Sequence, residues 1–245
     1  EDFLKVVDIV DNIKNPTGIY KYMRDFALTI GTYYDKDGNP LTDEEIKRVS
    51  NPPKGDTTYK KVASYKKHDP KHYVIMLVDH ISLLETEMDG PTMLTQWQAM
   101  HKFSSKYCLH IRDKFGFIPV VVQQQASDKE RIEVNYKGST VEQKLEPSLD
   151  ALGDNKTTQR DANVVLGLFA PNRYSIQEHR GYDMGFFKDR YRSLSILKDR
   201  DGTANKKVAL FFNGAVDFFK ELPRVEDTEN LSKVYEYINK LNRAV

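Results

Sequence analysis

Short, nearly continuous apolar runs alternate with longer amphipathic stretches along this 245-residue chain. The runs are LKVVDIV (4–10), YVIMLV (73–78), FIPVVV (117–122), NVVLGLFA (163–170), SLSILKD (193–199) and KKVALFFNG (206–214). Near-continuous apolar runs of this kind are typical of strands in a parallel sheet. Helices cover both faces of such a sheet, so successive residues of a strand do not alternate between apolar and polar. The sequence therefore predicts an α/β protein with a mostly parallel sheet and helices on both faces.

Helical periodicity fills several of the stretches between these runs. Apolar residues recur three and four positions apart in 15–31, in 90–116 and in 227–245. Thr17 is a candidate cap for the first of these helices, and Gly116 is placed to end the second.

One segment departs from this alternation. Residues 32–72 are rich in Gly, Pro and Lys, and only 42–50 has a helical pattern, so we interpret the segment as a surface insertion. Its second half, 54–72, mixes lysines with tyrosines as nucleic-acid grooves do, although a solvated loop is the plainer interpretation. We expect one domain over 1–226, interrupted by this insertion, and a helical C-terminal segment at 227–245.

Composition excludes some classes of protein. The net charge of +1 provides no global field for nucleic acid or membrane, so any such surface must be local. No apolar stretch approaches the roughly 20 residues that cross a bilayer. The single cysteine, Cys108, rules out an internal disulfide and fits a reducing, cytoplasmic compartment.

Polar residues follow the apolar runs where each run ends. Asp79 follows YVIMLV, Gln123 to Gln125 follow FIPVVV, and Asn172 follows NVVLGLFA. Lys198 lies at the end of SLSILKD and Arg200 directly after it, and their alternation along a strand would let both project from the same side. In parallel sheets, ligands bind at the carboxyl ends of the strands. A carboxylate there could hold hydrated Mg²⁺ beside a nucleoside triphosphate, and the two cations suit phosphate. A turn-forming Asp and two solvated cations are equally ordinary interpretations.

Four segments carry a resemblance, in a fixed order: VIMLVDHISLL, SSKYCLHIRDKFGFIPVVVQQQ, TQRDANVVLGLFAPNRY and LSILKDRDGTANKKVALFF. They are similar to successive segments of the carboxyl-terminal RecA-like motor domain of DnaB-type replicative helicases, in a phage-like version. The opening LKVVDIVDNIKNPTGIYKYMRDFA also resembles the short strand and helix that precede the acid-bearing strand in that family. The resemblance covers the chain apart from 32–72 and the C-terminal segment.

The resemblance implies roles for four residues, with ATP and Mg²⁺ as cofactors of the complete protein. Asp79 would organise Mg²⁺ and its water. Gln125 would couple the state of the γ-phosphate to the DNA-binding loop that follows. Lys198 and Arg200 would reach the nucleotide of a neighbouring subunit, which implies a ring, expected to be a hexamer.

The resemblance also implies partners. The loop at 126–160 would face the channel of the ring and contact the phosphates of single-stranded DNA. Its candidate contacts are Lys129, Arg131, Lys137 and Lys144. A solvated loop is the alternative for these side chains. Replisome proteins are further possible partners, no membrane is involved, and the location would be the cytoplasm of a bacterial or phage-infected cell.

The phosphate-binding loop of such motors is absent from the sequence. None of the 13 glycines begins the pattern GxxxxGK[ST], whose backbone amides and lysine hold phosphates. We therefore expect the chain to be the later part of a motor domain, lacking its P-loop strand and inactive alone. Because the first residue is Glu1 and not Met, we also expect a preceding segment.

Two classes of function stay open at this point. One is an ATP-dependent helicase motor that couples hydrolysis to translocation on single-stranded DNA. The other is a non-catalytic RecA-like module that binds DNA or a replisome partner. Another RecA-like ATPase, such as a recombinase or a clock-type protein, is a third possibility, although the Lys198–Arg200 pair favours a helicase.

Overall fold

A computed structural model describes residues 6–50, 62–124, 145–151 and 156–243. The chain divides into two compact units, Glu1–Gln124 and Gln125–Val245. The described helices are α1 (Pro16–Ile30), α2 (Asp43–Ser50), α3 (Gln96–Lys102), α4 (Leu109–Phe115), α5 (Lys156–Asp161), α6 (Met184–Phe187) and α7 (Thr228–Arg243). The described strands are β1 (Gly31–Tyr34), β2 (Ser64–Lys67), β3 (Ile75–Val78), β4 (Met88–Asp89), β5 (Thr92–Met93), β6 (Ile118–Val121), β7 (Val164–Phe169), β8 (Glu178–His179), β9 (Tyr182–Asp183), β10 (Tyr191–Asp199), β11 (Lys207–Asn213) and β12 (Phe218–Glu221).

The first unit is built around a parallel pair of strands. Strands β3 and β6 pair in register from Ile75 with Ile118 to Val78 with Val121. The connection between them is long enough for a crossover through a helix, as a parallel pair requires. This pair confirms the parallel arrangement that the apolar runs predicted for these two strands.

The crossover contains one continuous helical stretch from α3 to α4. A π-helical segment, Phe103–Cys108, joins the two α-helices. The stretch begins with a capping box, in which the Thr95 side chain accepts from the Gln98 backbone and the Gln98 side chain accepts from the Thr95 backbone. It ends at Gly116, whose φ of +64° places it in the left-handed region that favours glycine.

The predicted start of this helix was six residues too early. Gly90 and Pro91 instead form the two-residue turn between β4 and β5, and Gly90 has the positive φ that such hairpin turns require. Half of the surface of Trp97 on this helix is exposed. The buried face of the helix includes Met100, Phe103 and Ile111.

The segment 32–72 contributes to the core of the first unit. Its strands β1 and β2 pair antiparallel, and Tyr33 and Leu41 are buried. Tyr65 packs against the same core and donates a hydrogen bond to the carbonyl of Ala27 in α1. For the described residues 32–50 and 62–72, the surface location expected from composition therefore applies to only part of the segment.

The predicted strand at 4–10 is wrong for its described part. Residues 6–10 form no strand, and all of their side chains are exposed, with Ile9 81% exposed. An apolar β-branched run forms a strand only when a neighbouring strand pairs with it, and no described strand does so here.

The second unit contains a four-stranded antiparallel sheet. Its strand order is β12–β11–β10–β7. Residues 200–206 join β10 to β11, and 214–217 join β11 to β12, and such short links permit only antiparallel pairing. The mostly parallel sheet expected from the apolar runs is thus found in the β3–β6 pair and not in this sheet.

One face of this antiparallel sheet packs against helices. Tyr191 of β10 and Phe211 of β11 are buried with Phe187 of α6 and with Leu231 and Ile238 of α7. The helix predicted for the C-terminal segment is confirmed, and its apolar stripe is part of this core. Over the described ranges, no helix is both long and apolar enough to cross a membrane.

Candidate functional site

Asp79 lies directly after β3, at the carboxyl edge of the parallel pair. The amide of Val122 donates to the carbonyl of Val78, so the ends of β3 and β6 stay paired up to this edge. The Asp79 side chain is exposed, and the peptide bond between Asp79 and His80 is cis. The chain then turns back over β6, where the amide of Ile81 donates to the carbonyl of Val122.

Two polar atoms beside Asp79 are buried without a partner. Nδ1 of His80 and Oε1 of Gln123 have no hydrogen bond within the residues that the structure describes. Buried polar atoms are nearly always hydrogen-bonded in folded proteins. Atoms of this kind at the carboxyl ends of β3 and β6 are candidates to bind a polar ligand.

Five of the predicted site residues lie outside the described ranges. They are Gln125, Lys129, Arg131, Lys137 and Lys144. The parallel pairing that would bring Gln125 towards Asp79 is observed as far as Val121, and backbone hydrogen bonds continue it to Val122. The proximity of these two side chains therefore stays a prediction.

Lys198 and Arg200 contact the C-terminal end of α5. Nζ of Lys198 donates to the carbonyls of Gln159 (2.7 Å) and Arg160 (2.9 Å), and Arg200 reaches the Arg160 carbonyl at 3.5 Å. Burial and the positive charge of Arg200 lower the pKa of Lys198. The two cations thus project to the same side, as their alternation predicted, and satisfy carbonyls that a helix end leaves free.

These cations do not share an edge with Asn172. Lys198 pairs with Val165 near the start of β7, whereas Asn172 follows the end of β7. The sequence placed both at the carboxyl ends of parallel strands, and that placement is wrong because β10 runs antiparallel to β7. A cation pair at this end of β10 belongs to a different edge of the sheet.

The strand arrangement has a counterpart among solved structures. The fold is similar to that of a DnaB-like replicative helicase. That structure, "The Structure Of A DnaB-Like Replicative Helicase And Its Interactions With Primase", matches with a TM-score of 0.51 and 14% identity over 84% of this chain. The present chain spans 35% of the length of that helicase chain. The likeness is one of fold, and it supports the RecA-like α/β class that the sequence predicted.

A second solved structure, "ATPase Domain of G40P", matches with a TM-score of 0.49 and 18% identity, over 63% of this chain and 46% of that one. No protein-family model matches the chain, and no curated protein matches its sequence.

The residues at the carboxyl edge of β3 and β6 fit part of a site for ATP and Mg²⁺. Bound Mg²⁺ would supply positive charge beside the phosphates, and Asp79 offers the oxygen ligand that Mg²⁺ and its waters prefer. The phosphates themselves need backbone amides and a lysine, and the sequence contains no GxxxxGK[ST] loop. The described residues also contain no cluster of three or more His, Cys, Asp or Glu side chains that could hold a metal ion by themselves.

Sequence reasoning missed a buried carboxylate in the first unit. Glu87 accepts hydrogen bonds from Asn15 (2.7 Å) and from the Thr17 hydroxyl (2.6 Å) and backbone (2.9 Å), and it pairs with Lys102 at 3.0 Å. Burial raises the pKa of Glu87, but the hydrogen bonds from Thr17, Lys102 and Asn15 outweigh it and hold the pKa below its usual range. Thr17 therefore binds Glu87, whereas the sequence analysis predicted that it caps α1.

A second polar network, in the second unit, was also missed. His179 is buried between the Tyr191 hydroxyl and a carboxylate oxygen of Glu146, each 2.9 Å from the imidazole. Lys207 pairs with the other oxygen of Glu146. Burial raises the pKa of Glu146, and the hydrogen bonds from Lys207 and His179 more than reverse that effect and lower it. No spacing in the sequence distinguishes Glu146 or His179 from their neighbours.

Cys108 can be excluded as a nucleophile. The thiol is buried in the core of the first unit, and burial raises its pKa to about 12. The reactive form of a cysteine is the thiolate, which such a pKa suppresses at neutral pH.

Proposed function

We propose that this chain is part of the motor of an ATP-dependent replicative DNA helicase, which couples nucleotide hydrolysis to translocation on single-stranded DNA. The observation that carries the proposal is the parallel β3–β6 pair with Asp79 at its carboxyl edge. The order of the four sequence segments and the DnaB-like fold support it.

In this proposal Asp79 organises Mg²⁺ through water, and Gln125 links the state of the γ-phosphate to the loop at 126–160. Lys198 and Arg200 act on the nucleotide of an adjacent subunit in a ring, expected to be a hexamer. The DNA contacts would be Lys129, Arg131, Lys137 and Lys144 in the loop.

The first unit has an exposed apolar face that supports the expected lack of a P-loop strand. Leu77 of β3 is 64% exposed, and Ile75, Ile118 and Val120, which share its face of the sheet, are exposed as well. Parallel strands are normally covered on both faces. Among the described strands, β6 pairs only with β3, so its other side is free to accept a further strand.

The second unit also has exposed apolar side chains, on strand β7. This strand is the edge of its sheet, and Val164, Leu166 and Leu168 project from one face with about half of each surface exposed. Long apolar edges favour pairing with another strand. We infer that in the active protein further polypeptide, bearing the P-loop, covers the exposed apolar face of β3 and β6 and the exposed side chains of β7.

The alternative is a non-catalytic RecA-like module that binds DNA or a replisome partner. The lack of any GxxxxGK[ST] pattern in the chain favours it. Primase is named with the DnaB-like helicase of similar fold, and a primase is therefore a reasonable first partner to test. A GxxxxGK[ST] pattern encoded directly before Glu1 would favour the motor over the module.

Arg200→Ala tests the proposed action across a subunit boundary in the complete protein. We expect ATP hydrolysis to fall by a factor of about 10³ while nucleotide affinity changes little, because an arginine acting in trans stabilises transition-state charge. Steady-state ATPase assays and binding of a fluorescent ATP analogue measure the two effects separately. Arg224→Ala, an exposed arginine in the same unit, serves as the control. Loss of nucleotide binding in Arg200→Ala would instead place this residue in the pocket of its own subunit.

A further inference from the structure

A cation and two aromatic rings form a corner on the open face of the antiparallel sheet. Arg192 follows the buried Tyr191 on β10, so it projects from the face opposite the helices. Its guanidinium lies 4.4 Å from the ring centre of Phe212, which is 4.6 Å from the ring of Phe219. Phe219 is 42% exposed.

Hydrogen bonds hold the guanidinium of Arg192 in place and leave some of its N–H groups available as donors. Nη1 donates to the carbonyls of Asp189 (2.7 Å) and Tyr191 (2.8 Å), which fix the orientation of the group. The other guanidinium nitrogens, Nε and Nη2, donate to no residue in the described part of the chain. An oriented guanidinium with free N–H groups is suited to bind phosphate.

A second arginine adds positive charge at the same corner. The 3₁₀ turn Pro171–Tyr174, which carries the exposed Arg173, contacts β10. Burial and the positive charge of Arg173 lower the pKa of Arg192, and Asp189 offsets part of this effect. Within the described ranges, neither arginine forms an ion pair. Two neighbouring like charges repel each other, so the pair gains most when an anion lies between them.

The geometry points to a binding site for a nucleotide unit, with its phosphate at Arg192 on the side of the Arg173 turn and its base stacked on Phe219. Exposed aromatic rings beside cations are the common platform for single-stranded nucleic acid, because every base has a face that can stack. The corner lies in β10–β12 and in the turn after β7, and thus outside the loop at 126–160. The site is therefore additional to the proposed loop contacts and does not depend on nucleotide hydrolysis.

The test measures binding of an oligothymidylate of about twelve nucleotides, a length that covers a typical single-strand site. Fluorescence anisotropy is recorded over a range of salt concentrations. Arg192→Gln is expected to weaken binding about tenfold and to reduce the slope of log K against log salt by about 0.7, the value for one phosphate contact on a single strand. Phe219→Leu is expected to weaken binding several-fold and to leave the salt slope unchanged.

Lys220→Gln is the matched control. Lys220 is exposed on β12 next to Phe219, but it projects from the other face of the sheet, so removing its charge should alter neither affinity nor slope. A parallel titration with thymidine monophosphate separates a free nucleotide from a strand as the source of the ligand. Dependence on Arg192 in either titration supports the site.

Three results would overturn the inference. One is oligothymidylate binding that Arg192→Gln and Phe219→Leu leave unchanged, and another is no binding of either probe. The third is a polyglutamate peptide that binds more tightly than the oligonucleotide and loses binding in Arg192→Gln, because it would assign the corner to an acidic protein. If Lys129→Gln and Arg131→Gln weaken binding while the corner variants do not, the loop proposal stands and the corner fails.

Discussion

Glu87 shows how a single side chain fixes three elements of the first unit. Asn15 and Thr17 belong to the start of α1, Glu87 itself precedes β4, and Lys102 ends α3. The Thr17 hydroxyl also lies 2.8 Å from the Tyr107 hydroxyl in the π-helical segment. Because this buried carboxylate has a full set of partners, its removal leaves several polar groups unsatisfied.

Glu87→Gln should lower the free energy of unfolding by about 2 kcal/mol at neutral pH, since it leaves the partly buried Lys102 with a weaker partner. The effect should depend on pH. The pKa of Glu87 is lowered in the folded state, so its contribution is present above the ordinary glutamate value of 4.5 and is lost as pH falls through the folded pKa. The difference between variant and wild type should therefore shrink at acidic pH.

Urea unfolding at several pH values measures this difference. Glu85→Gln is the control, because Glu85 is exposed and close in sequence. A stability loss of the same size in both variants, or a loss that does not depend on pH, would contradict the role given to Glu87.

At the scale of elements, sequence periodicity predicted the long helices and most of the longer strands. The spacing of apolar residues predicted α1 and α7. The apolar runs at 163–170, 193–199 and 206–214 contain the observed strands β7, β10 and β11. These elements bury one continuous stripe or face, so the sequence carries the signal directly.

The short elements were missed, although some left a signal. Gly214 opens the four-residue link 214–217 between β11 and β12, and Arg180 and Gly181 both have positive φ in the two-residue turn between β8 and β9. The antiparallel direction of β10 could have been inferred from its short link to β11. Glu87, Glu146 and His179 had no such signal, because their partners are distant in sequence.

Ile238→Ala tests whether α7 is part of the core of the second unit. Ile238 is fully buried, and its truncation should lower the free energy of unfolding by about 3 kcal/mol, because apolar burial is lost and a cavity remains. Tyr237→Ala is the neighbouring control, since half of the Tyr237 surface is exposed. Thermal or urea unfolding gives both values. Equal effects of the two substitutions would mean that α7 does not pack as described.

At the scale of the whole molecule, the fold is similar to that of a DnaB-like helicase, and the proposed function makes the Asp79 edge part of a nucleotide site. Asp79 lies at a strand end where Mg²⁺ would be organised, and two neighbouring polar atoms have no partner in the described ranges. The GxxxxGK[ST] loop is absent from the sequence, and β3, β6 and β7 expose apolar faces. These features together support the proposal that further polypeptide completes the site.

The rate of ATP hydrolysis by the purified 245-residue chain tests this account most directly. With Mg²⁺ and single-stranded DNA present, the account predicts no turnover above that of buffer, because the chain has no loop to hold the β- and γ-phosphates. When the chain is extended by a segment bearing GxxxxGK[ST], hydrolysis should appear and Asp79→Asn should remove it. Turnover by the 245-residue chain alone at ordinary helicase rates, abolished by Asp79→Asn, would contradict the account.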